Sequence, residues 1–491
     1  MQKIGFDNKK YVELQSKNIA KRVSKFSKLY LEFGGKLFDD NHASRVLPGF
    51  EPDSKIKMLL NIKDKLEMML VISASDIEKN KIRADLGITY SQDLMRLIDA
   101  FKLVGLEIGG VVITHYAKQE NAQKLRKKLE KSNIKVAYHY IIDNYPNEVD
   151  KVLSNEGFGK NEYIKTNKDI VVVTAPGPGS GKMATCLSQM YHDNLNGIKS
   201  GYAKFETFPI WDLPLNHPVN LAYEAATVDL QDVNMIDPFH LDAYGKIAVN
   251  YNRDVEIFPI LNELLIKILG KQVYKSPTDM GVNTISKCII DDKACTEAAK
   301  KEIVRRYYKS LIDYRLDESL EEQVTKLENI MKKAQTSQDS RLVAIEANKL
   351  AASTKQPAVA IEYEGKIITG KTSNLMGASS AAILNVAKVA AGLKDEKLLA
   401  PSIIEPIQVL KTKYLHGNNP RLHTDEVLEA LAIGSNNDER CAKALDALEK
   451  LKGCEVHSSV ILSQVDINTF NKLGMNLTMD AVYQTKKLYH K

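Results

Sequence analysis

The chain has 491 residues, of which 44% are hydrophobic and 26% are charged, a balance that excludes a disordered or fibrous protein and suits several globular domains. Its 68 basic and 62 acidic side chains are mixed throughout, so the net charge of +6 marks no nucleic-acid or membrane partner. The N-terminus lacks an apolar signal segment, and no window approaches the roughly 20 apolar residues of a membrane span, which predicts a cytoplasmic protein.

Residues 1–164 are predicted to form an N-terminal α/β domain. The runs at 66–75 and 108–114 are short, apolar and rich in β-branched residues, as buried strands are. Residues 116–132 have helical periodicity with charge on one face, and 134–141 follow as another strand. Strand, helix and strand in succession predict a parallel sheet with helices on its faces.

Residues 165–335 are predicted to form a second α/β region with a helical extension. The strand KDIVVV leads into a glycine-proline loop and a helix, and SGYAKFETFPIW is predicted as the next strand. Helical periodicity dominates residues 257–270 and 296–350, and a charged helical face leads into a connector at 335–340. We place the second domain boundary at this connector.

Residues 336–491 are predicted to form a C-terminal α/β domain. AVAIEYEGKIITG has two alternating strands joined at Glu364 and Gly365, which predicts a β-hairpin, and the small-residue helix ASSAAILNVAKVAAGL follows. The later runs CEVHSSVIL and MNLTMD are predicted strands. The fold class is therefore α/β and multi-domain, with mostly parallel sheets flanked by helices and a helical connector before the C-terminal domain.

The segment TAPGPGSGKM at residues 174–183 partly matches the phosphate-binding loop pattern G-x-x-x-x-G-K-[ST]. Gly181 and Lys182 stand at their pattern positions, but Pro176 replaces the first glycine and Met183 replaces the hydroxyl residue. Lys182 falls in the first turn of the predicted helix, where the helix dipole disfavours a cation unless an anion lies nearby. The alternative is a strand-to-helix turn with a purely structural role. We expect a P-loop-like phosphate site formed by Gly177, Gly179, Ser180, Gly181 and Lys182, with Thr185 as a replacement hydroxyl.

The following strand carries charge where a parallel strand is usually apolar. In GYAKFETF, Tyr202, Lys204 and Glu206 alternate onto one face. Because open α/β sheets bind ligands at the carboxyl ends of their strands, we expect Lys182, Lys204 and Glu206 to meet there. The alternative is an internal Lys–Glu pair without a ligand.

The residues from 209 to 258 are rich in Asp, Asn and His. Oxygen ligands suit Mg²⁺, and Asp229, Asp232 and Asp237 are predicted to bind this ion together with a nucleotide. The alternative is that they form loops, as Asp and Asn beside proline often do. The five cysteines form no Cys-x-x-Cys pair and no H-E-x-x-H occurs, so no zinc is expected.

A second glycine-containing stretch precedes this region. In KLYLEFGGKLFDDNHASR, a strand-like run ends at Gly34, Gly35 and Lys36, with His42 and Arg45 close behind. This stretch forms either a second anion-contacting loop or a tight turn with solvated charges.

Five blocks of the sequence together resemble an uncharacterised bacterial family of cytosolic proteins of about this length that carries a domain of unknown function. The blocks begin KLYLEFGGKLF, VVVTAPGPGSGKM, GYAKFETFPIW, VNYNRDVEIF and YKSPTDMGVN, and the resemblance covers essentially the whole chain. It implies no reaction, because the label of ATP-dependent peptidase that some members carry has no peptidase motif behind it in this sequence.

Two weaker resemblances concern parts of the chain. The loop, its helix and the AKFETF strand look like phosphate-loop ligases and kinases of the dethiobiotin synthetase and CTP synthase type, in which Lys182 and Lys204 would match the phosphate-binding and substrate-binding lysines. The C-terminal hairpin and helix are similar in order to the cytidine-deaminase-like fold. Residues 379–382 lack the His or Cys and the Glu of its zinc site, so deaminase chemistry is not expected.

The sequence thus predicts a cytoplasmic enzyme that binds a nucleotide or another phosphorylated small molecule. Lys182, Lys204 and Glu206 would be catalytic, in phosphoryl transfer or ATP-dependent ligation with Mg²⁺. The alternatives are a non-catalytic metabolite-binding protein or homo-oligomeric scaffold, and a site at Gly34, Gly35, Lys36, His42 and Arg45. No nucleic-acid or membrane partner is expected.

Overall fold

A computed structural model describes residues 3–38, 40–83, 86–394 and 397–484 of the chain. The chain divides into two compact units. The first unit comprises Gln2–Glu224 and Leu230–Ala299, and the second comprises Ala225–Asp229 and Lys300–Lys491. Within the described ranges, no helix combines the length and the apolar surface that a membrane crossing requires.

Helices occur throughout the chain. The described α-helices are α1 (Asn8–Val23), α2 (Asn41–Val46), α3 (Ser54–Leu60), α4 (Ala74–Glu78), α5 (Tyr90–Leu103), α6 (Glu120–Lys131), α7 (Val149–Val152), α8 (Lys182–Leu195), α9 (Pro218–Ala226), α10 (Pro238–Tyr244), α11 (Asn252–Leu269), α12 (Pro277–Met280), α13 (Asp292–Leu316), α14 (Glu321–Lys333), α15 (Leu342–Thr354), α16 (Ala378–Ala390), α17 (Pro401–Val409), α18 (Thr424–Gly434), α19 (Glu439–Asp446) and α20 (Gln464–Lys472).

Strands are grouped by unit. Those described in the first unit are β1 (Lys28–Phe33), β2 (Leu66–Ser73), β3 (Ile82–Arg83), β4 (Ile88–Thr89), β5 (Glu107–Tyr116), β6 (Val136–Tyr140), β7 (Ile170–Thr174), β8 (Ser200–Phe205), β9 (Asn234–Ile236) and β10 (Val249–Tyr251). Those described in the second unit are β11 (Ala358–Tyr363), β12 (Lys366–Lys371), β13 (Glu455–Ser458) and β14 (Asn476–Met479).

Six of the described strands form one parallel sheet in the first unit, in the order β6-β5-β2-β7-β1-β8. Strands β2 and β7 are buried along their whole length, as their apolar sequences predicted. The predicted α/β class, with a parallel sheet flanked by helices, is therefore confirmed.

The order of strands in this sheet differs from their order in the chain. β7 lies between β2 and β1, so strands from both sides of the predicted boundary between residues 164 and 165 are hydrogen-bonded in one sheet. The register sets Glu32 of β1 level with Val173 of β7 and Lys204 of β8. The carboxyl ends of these three strands therefore lie side by side at one edge.

Helix α8 is held against the sheet by its apolar face. Cys186, Leu187 and Met190 recur at helical spacing and are fully buried in the core of the first unit. Burying a large aliphatic side chain contributes roughly 1.5–3 kcal/mol. The start of α8, and with it the glycine-proline loop, is thus anchored by the core.

Strand β8 is shorter than the sequence predicted. The predicted strand continued to Trp211, but β8 ends at Phe205. Pro209 has no backbone N–H to donate to a neighbouring strand, so the segment cannot extend the ladder. Glu206 consequently lies just beyond the strand, where its side chain is not confined to one face of the sheet.

The second unit contains a mixed sheet in the order β12-β11-β13-β14. The predicted hairpin is confirmed, because β11 pairs with β12 and the two turn residues Glu364 and Gly365 have φ values of 49° and 76°. The small residues of α16 are explained by close approach: a β-carbon on Gly370 of β12 would collide with the backbone of Ala382.

Candidate functional site

Polar groups from distant parts of the sequence meet at the carboxyl edge of the parallel sheet. Ser73 ends β2 and Thr114 lies near the end of β5, while the glycine-proline loop follows β7. Gly34 follows β1, and Glu206 follows β8. Open parallel sheets bind their ligands at this edge. The structure therefore brings the predicted loop and the predicted Lys–Glu pair to the same edge of one sheet.

The glycine-proline loop has a conformation that depends on glycine. Gly179 and Gly181 have φ values of 69° and 84°, in the left-handed region that other residues rarely occupy. The hydroxyl of Thr114 donates a hydrogen bond of 2.6 Å to the carbonyl oxygen of Ser180. A β-carbon on Gly177 would collide with the ring of Tyr90. The neighbouring strand and helix α5 thus hold the loop in place from outside.

Two buried hydroxyls near this loop have no protein partner. Ser180 is 4% exposed and Thr185 is fully buried, yet Ser180 Oγ and Thr185 Oγ1 form no hydrogen bond with any residue that the structure describes. A buried polar group without a partner costs about 1–3 kcal/mol. Such groups are retained most readily where a ligand or a water molecule forms the missing hydrogen bond.

Lys182 is the first residue of α8 and lies next to these hydroxyls in the sequence. It is partly buried, and within the described ranges it forms no ion pair with an acidic side chain. The positive end of the helix dipole opposes a cation at this position. An anion bound by the loop would compensate both charges, so the local electrostatics favour an anionic ligand.

The side chain of Lys204 is surrounded by carboxylates. Its Nζ lies 2.6 Å from both Asp254 Oδ1 and Asp254 Oδ2, and 3.0 Å from Glu206 Oε1. Glu32 lies on the adjacent strand and accepts a hydrogen bond of 2.6 Å from the hydroxyl of Tyr202. Burial acts to lower the pKa of Lys204, but the three carboxylates raise it above its usual value, so Lys204 stays charged.

The carboxyl group of Glu206 is poised to change its protonation near neutral pH. Burial raises its pKa to about 7, with Lys204 opposing the shift and Asp254 adding to it. Oε1 faces Lys204, whereas Oε2 has no partner in the described part of the chain. A group with this pKa can accept or donate a proton in catalysis.

A pocket that is open to solvent lies over the end of β8. Lys204, Glu206 and Asp254 contribute its charged groups. Its remaining lining combines apolar, aromatic, hydroxyl and amide side chains, namely Phe208, Pro209, Trp211, Val249, Asn250, Pro277, Thr278 and Asn283, together with Gly281.

The second predicted loop borders the same cluster. A β-carbon on Gly34 would lie 2.7 Å from Glu206 Cγ, and Gly35, with φ 71°, lies against the ammonium group of Lys55. That buried lysine pairs with Asp40 at 2.7 Å. The ring of His42 contacts Phe208, with 5.6 Å between ring centroids. The remaining candidate residues of this stretch are Lys36, which is exposed, and Arg45, which is partly exposed.

The predicted Mg²⁺ ligands have other roles in the structure. Asp229 is exposed in a short turn, and Asp232 forms an ion pair of 3.1 Å with Arg253. Asp237 caps α10 through the backbone N–H of His240 and accepts a 2.6 Å hydrogen bond from Thr278 Oγ1. In the described ranges, no group of three or more His, Cys, Asp or Glu side chains is arranged to hold a metal ion.

The sequence did not single out Glu32, and Asp254 was only one of many polar residues in its stretch. Glu32 is the acidic residue within the otherwise apolar run LYLEF, which is the one signal that it serves a purpose. Glu32 affects groups at both parts of the carboxyl edge. It raises the pKa of Lys204. Burial raises the pKa of Cys186, Glu32 raises it further, and Lys182 lowers it.

Comparison with known proteins covers the whole chain. Residues 4–335 match the family described as domain of unknown function DUF1846, N-terminal, and residues 339–489 match its C-terminal counterpart. UPF0371 proteins of Streptococcus pyogenes serotype M5 (strain Manfredo) and Streptococcus thermophilus (strain ATCC BAA-491 / LMD-9) are each 52% identical over 494 residues, which cover 100% of both chains in each comparison. The predicted resemblance to one bacterial family is confirmed.

Proposed function

The chain belongs to the DUF1846 family, and from that premise we propose that it is an enzyme that binds a phosphorylated small molecule at the glycine-proline loop and transfers the phosphoryl group at the carboxyl edge of the sheet. The observation that carries this proposal is the combination of Lys182, without an ion-pair partner among the described residues, and the two unpartnered buried hydroxyls of Ser180 and Thr185. One phosphate group offers acceptor oxygens to all three.

The loop favours a phosphate ester over a tightly held triphosphate. Pro176 and Pro178 have no N–H groups, so fewer backbone donors surround the anion than in a standard phosphate loop. Met183 offers no hydroxyl to Mg²⁺. Should the phosphoryl donor be a nucleoside triphosphate, we propose that Mg²⁺ arrives bound mainly to its phosphate oxygens.

The chemistry assigned to the edge is transfer of the phosphoryl group to a hydroxyl. The acceptor oxygen forms the new P–O bond, and its proton passes to the carboxylate of Glu206. The P–O bond of the donor breaks, and its electron pair stays on the leaving-group oxygen. Lys182 neutralises negative charge on the phosphoryl group held at the loop. Lys204 holds the carboxyl group of Glu206 through Oε1, and Asp254 holds Lys204 in position through both carboxylate oxygens.

The two parts of the edge are close enough for one reaction. β1 alone separates β7 from β8, so the ends of these strands are about 10 Å apart. An acceptor molecule placed beside Glu206 can span this distance and bring its hydroxyl group to the phosphoryl group held at the loop.

The test is a calorimetric titration with inorganic phosphate, a set of phosphate monoesters and ATP, each with and without Mg²⁺. Lys182→Ala should weaken binding of the favoured ligand by about 10–100-fold, because it removes a charge-assisted contact. Lys128→Ala, on the exposed face of α6, is the matched control and should bind as the unaltered protein does. Equal binding by Lys182→Ala and the unaltered protein would refute the proposal.

A further inference from the structure

The pocket at the end of β8 has a lining that selects for one kind of molecule, and we infer that it binds the phosphoryl acceptor as a neutral, hydroxyl-rich compound, a polyol or a sugar. The role as acceptor rests on the proposed function, whereas binding in the pocket does not. The charges, hydrogen-bonding groups and apolar side chains that line the pocket all suit such a compound.

The charges in the pocket disfavour an ionic ligand. Asp254 engages Lys204 through both carboxylate oxygens, so that this ammonium group is already compensated. An anionic ligand would approach Asp254 and Glu206, and a cationic ligand would compete with Lys204 for the same carboxylates. A neutral ligand meets neither penalty.

Two polar groups remain open to a ligand. Glu206 Oε2 has no protein partner in the described ranges, and its side chain is 25% exposed. Asn250 accepts a hydrogen bond of 3.0 Å from the backbone N–H of Tyr251 through Oδ1, while its Nδ2 group forms no hydrogen bond with a described residue. An acceptor and a donor together match a hydroxyl group, which both donates and accepts.

The remaining surface suits the C–H face of a ring or a carbon chain. Phe208, Pro209, Trp211 and Pro277 contribute apolar side chains to the lining. Trp211 Nε1 donates to the carbonyl oxygen of Asn283 at 3.4 Å, and Asn283 Nδ2 donates to the carbonyl oxygens of Glu206 and Thr207. The indole of Trp211 and the backbone of Glu206 are thus bonded to the same asparagine, Asn283, which fixes their positions relative to each other.

Tryptophan fluorescence can report on binding in this pocket, because Trp211 is the only tryptophan in the sequence. The experiment titrates glycerol, inositol and glucose into the full chain and follows tryptophan fluorescence, with acetate and methylammonium as charged comparison compounds. A saturable change is expected with at least one hydroxylated compound and with neither charged compound. No saturable change with any of the three, or a stronger response to a charged compound, would overturn the inference.

Two variants distinguish ligand binding in the pocket from phosphate binding at the loop. Asn250→Ala should weaken binding of the responding compound about tenfold, since it removes one hydrogen bond to an uncharged group. Lys182→Ala should lose phosphate binding in the calorimeter but keep the fluorescence response unchanged. Loss of the response in Lys182→Ala would assign the signal to the loop and overturn the inference. If Lys182→Ala keeps both the fluorescence response and phosphate binding, the proposed function of the loop is overturned, but the inference about the pocket is not.

Discussion

Gly34 and Glu206 lie so close that a β-carbon on Gly34 would come within 2.7 Å of Glu206 Cγ and 3.1 Å of its Oε1. The two residues follow the adjacent strands β1 and β8 and are far apart in the sequence. The glycine therefore determines where the carboxyl group of Glu206 can lie, and the loop after β1 is part of the same candidate site as Lys204.

Replacing Gly34 with alanine should displace Glu206 without unfolding the protein. The two nearest atoms belong to the Glu206 side chain, which can rotate away, and the carbonyl oxygen of Phe205 is 3.2 Å from the added carbon. We therefore expect a loss of only about 1 kcal/mol in the free energy of unfolding. Binding of the hydroxylated compound, measured by Trp211 fluorescence, should fall at least tenfold. Gly377→Ala serves as the control, because its nearest neighbour is 3.8 Å away, and it should change neither quantity appreciably. An unchanged fluorescence titration in Gly34→Ala would contradict this role.

The raised pKa of Glu206 should appear in the pH dependence of stability. The folded protein holds this proton up to about pH 7, while the unfolded chain releases it near 4.5, the ordinary pKa of a glutamate, so the stability contributed by Glu206 is lost as pH rises between these values. Glu206→Gln cannot release a proton. Between pH 4.5 and pH 8 its free energy of unfolding should therefore rise by roughly 1–3 kcal/mol relative to that of the unaltered protein.

Denaturant titrations at several pH values measure this difference. The groups that act on Glu206 are Lys204, Asp254 and Glu32, and all three are retained in Glu206→Gln. Parallel pH curves for the two proteins would mean that Glu206 ionises as an ordinary carboxyl group, and the assignment of the proton acceptor would fail.

Thr185→Val should stabilise the unliganded protein. The valine keeps the shape of the side chain and removes a buried hydroxyl that has no described protein partner, so a gain of about 1 kcal/mol in the free energy of unfolding is expected. Phosphate binding should weaken in the same variant. A gain in stability that accompanies a loss of binding is the signature of a residue kept for its ligand.

Thr114→Val is the matched comparison for that measurement. The Thr114 hydroxyl donates to the carbonyl oxygen of Ser180 at 2.6 Å, so its removal should destabilise the protein by about 1–2 kcal/mol. If Thr185→Val destabilises the protein to the same extent, the Thr185 hydroxyl has a structural partner and the phosphate assignment loses its main support.

Lys204→Met should be strongly destabilising, because it leaves Asp254, Glu206 and Glu32 near one another without a cation. Removing one member of a buried charge cluster typically costs about 3–5 kcal/mol. The double variant Lys204→Met with Asp254→Asn should recover part of this loss, as measured by denaturant unfolding at pH 8. No recovery would show that packing of the lysine chain, rather than charge, explains the loss.

Much of the fold could be predicted because its signals are local. The apolar runs of β2 and β7 and the turn at Glu364 and Gly365 depend on neighbouring residues, and the structure contains them as predicted. The Lys204–Glu206 pair was predicted from alternation along one strand, and the two side chains do meet, although Glu206 lies one residue beyond the end of β8.

The partners of that pair could not be predicted, because they depend on which strands become neighbours. Glu32 reaches Tyr202 only because β1 lies beside β8, and Asp254 reaches Lys204 from the first turn of α11. Likewise, the alternation of strands and helices gave no sign that β7 inserts between β2 and β1, so the predicted boundary at residues 164 and 165 followed chain order alone.

The position of β7 also has a consequence for how the chain folds during synthesis. β1 and β2 leave the ribosome early, but neither can pair with the other, because the strand that joins them is made about a hundred residues later. Until then β1 has unpaired edges on both sides. Closing this gap brings together segments distant in sequence, which is the slow step expected for parallel sheets. The carboxyl edge, with the glycine-proline loop directly after β7, is therefore completed only when β7 joins the two parts of the sheet.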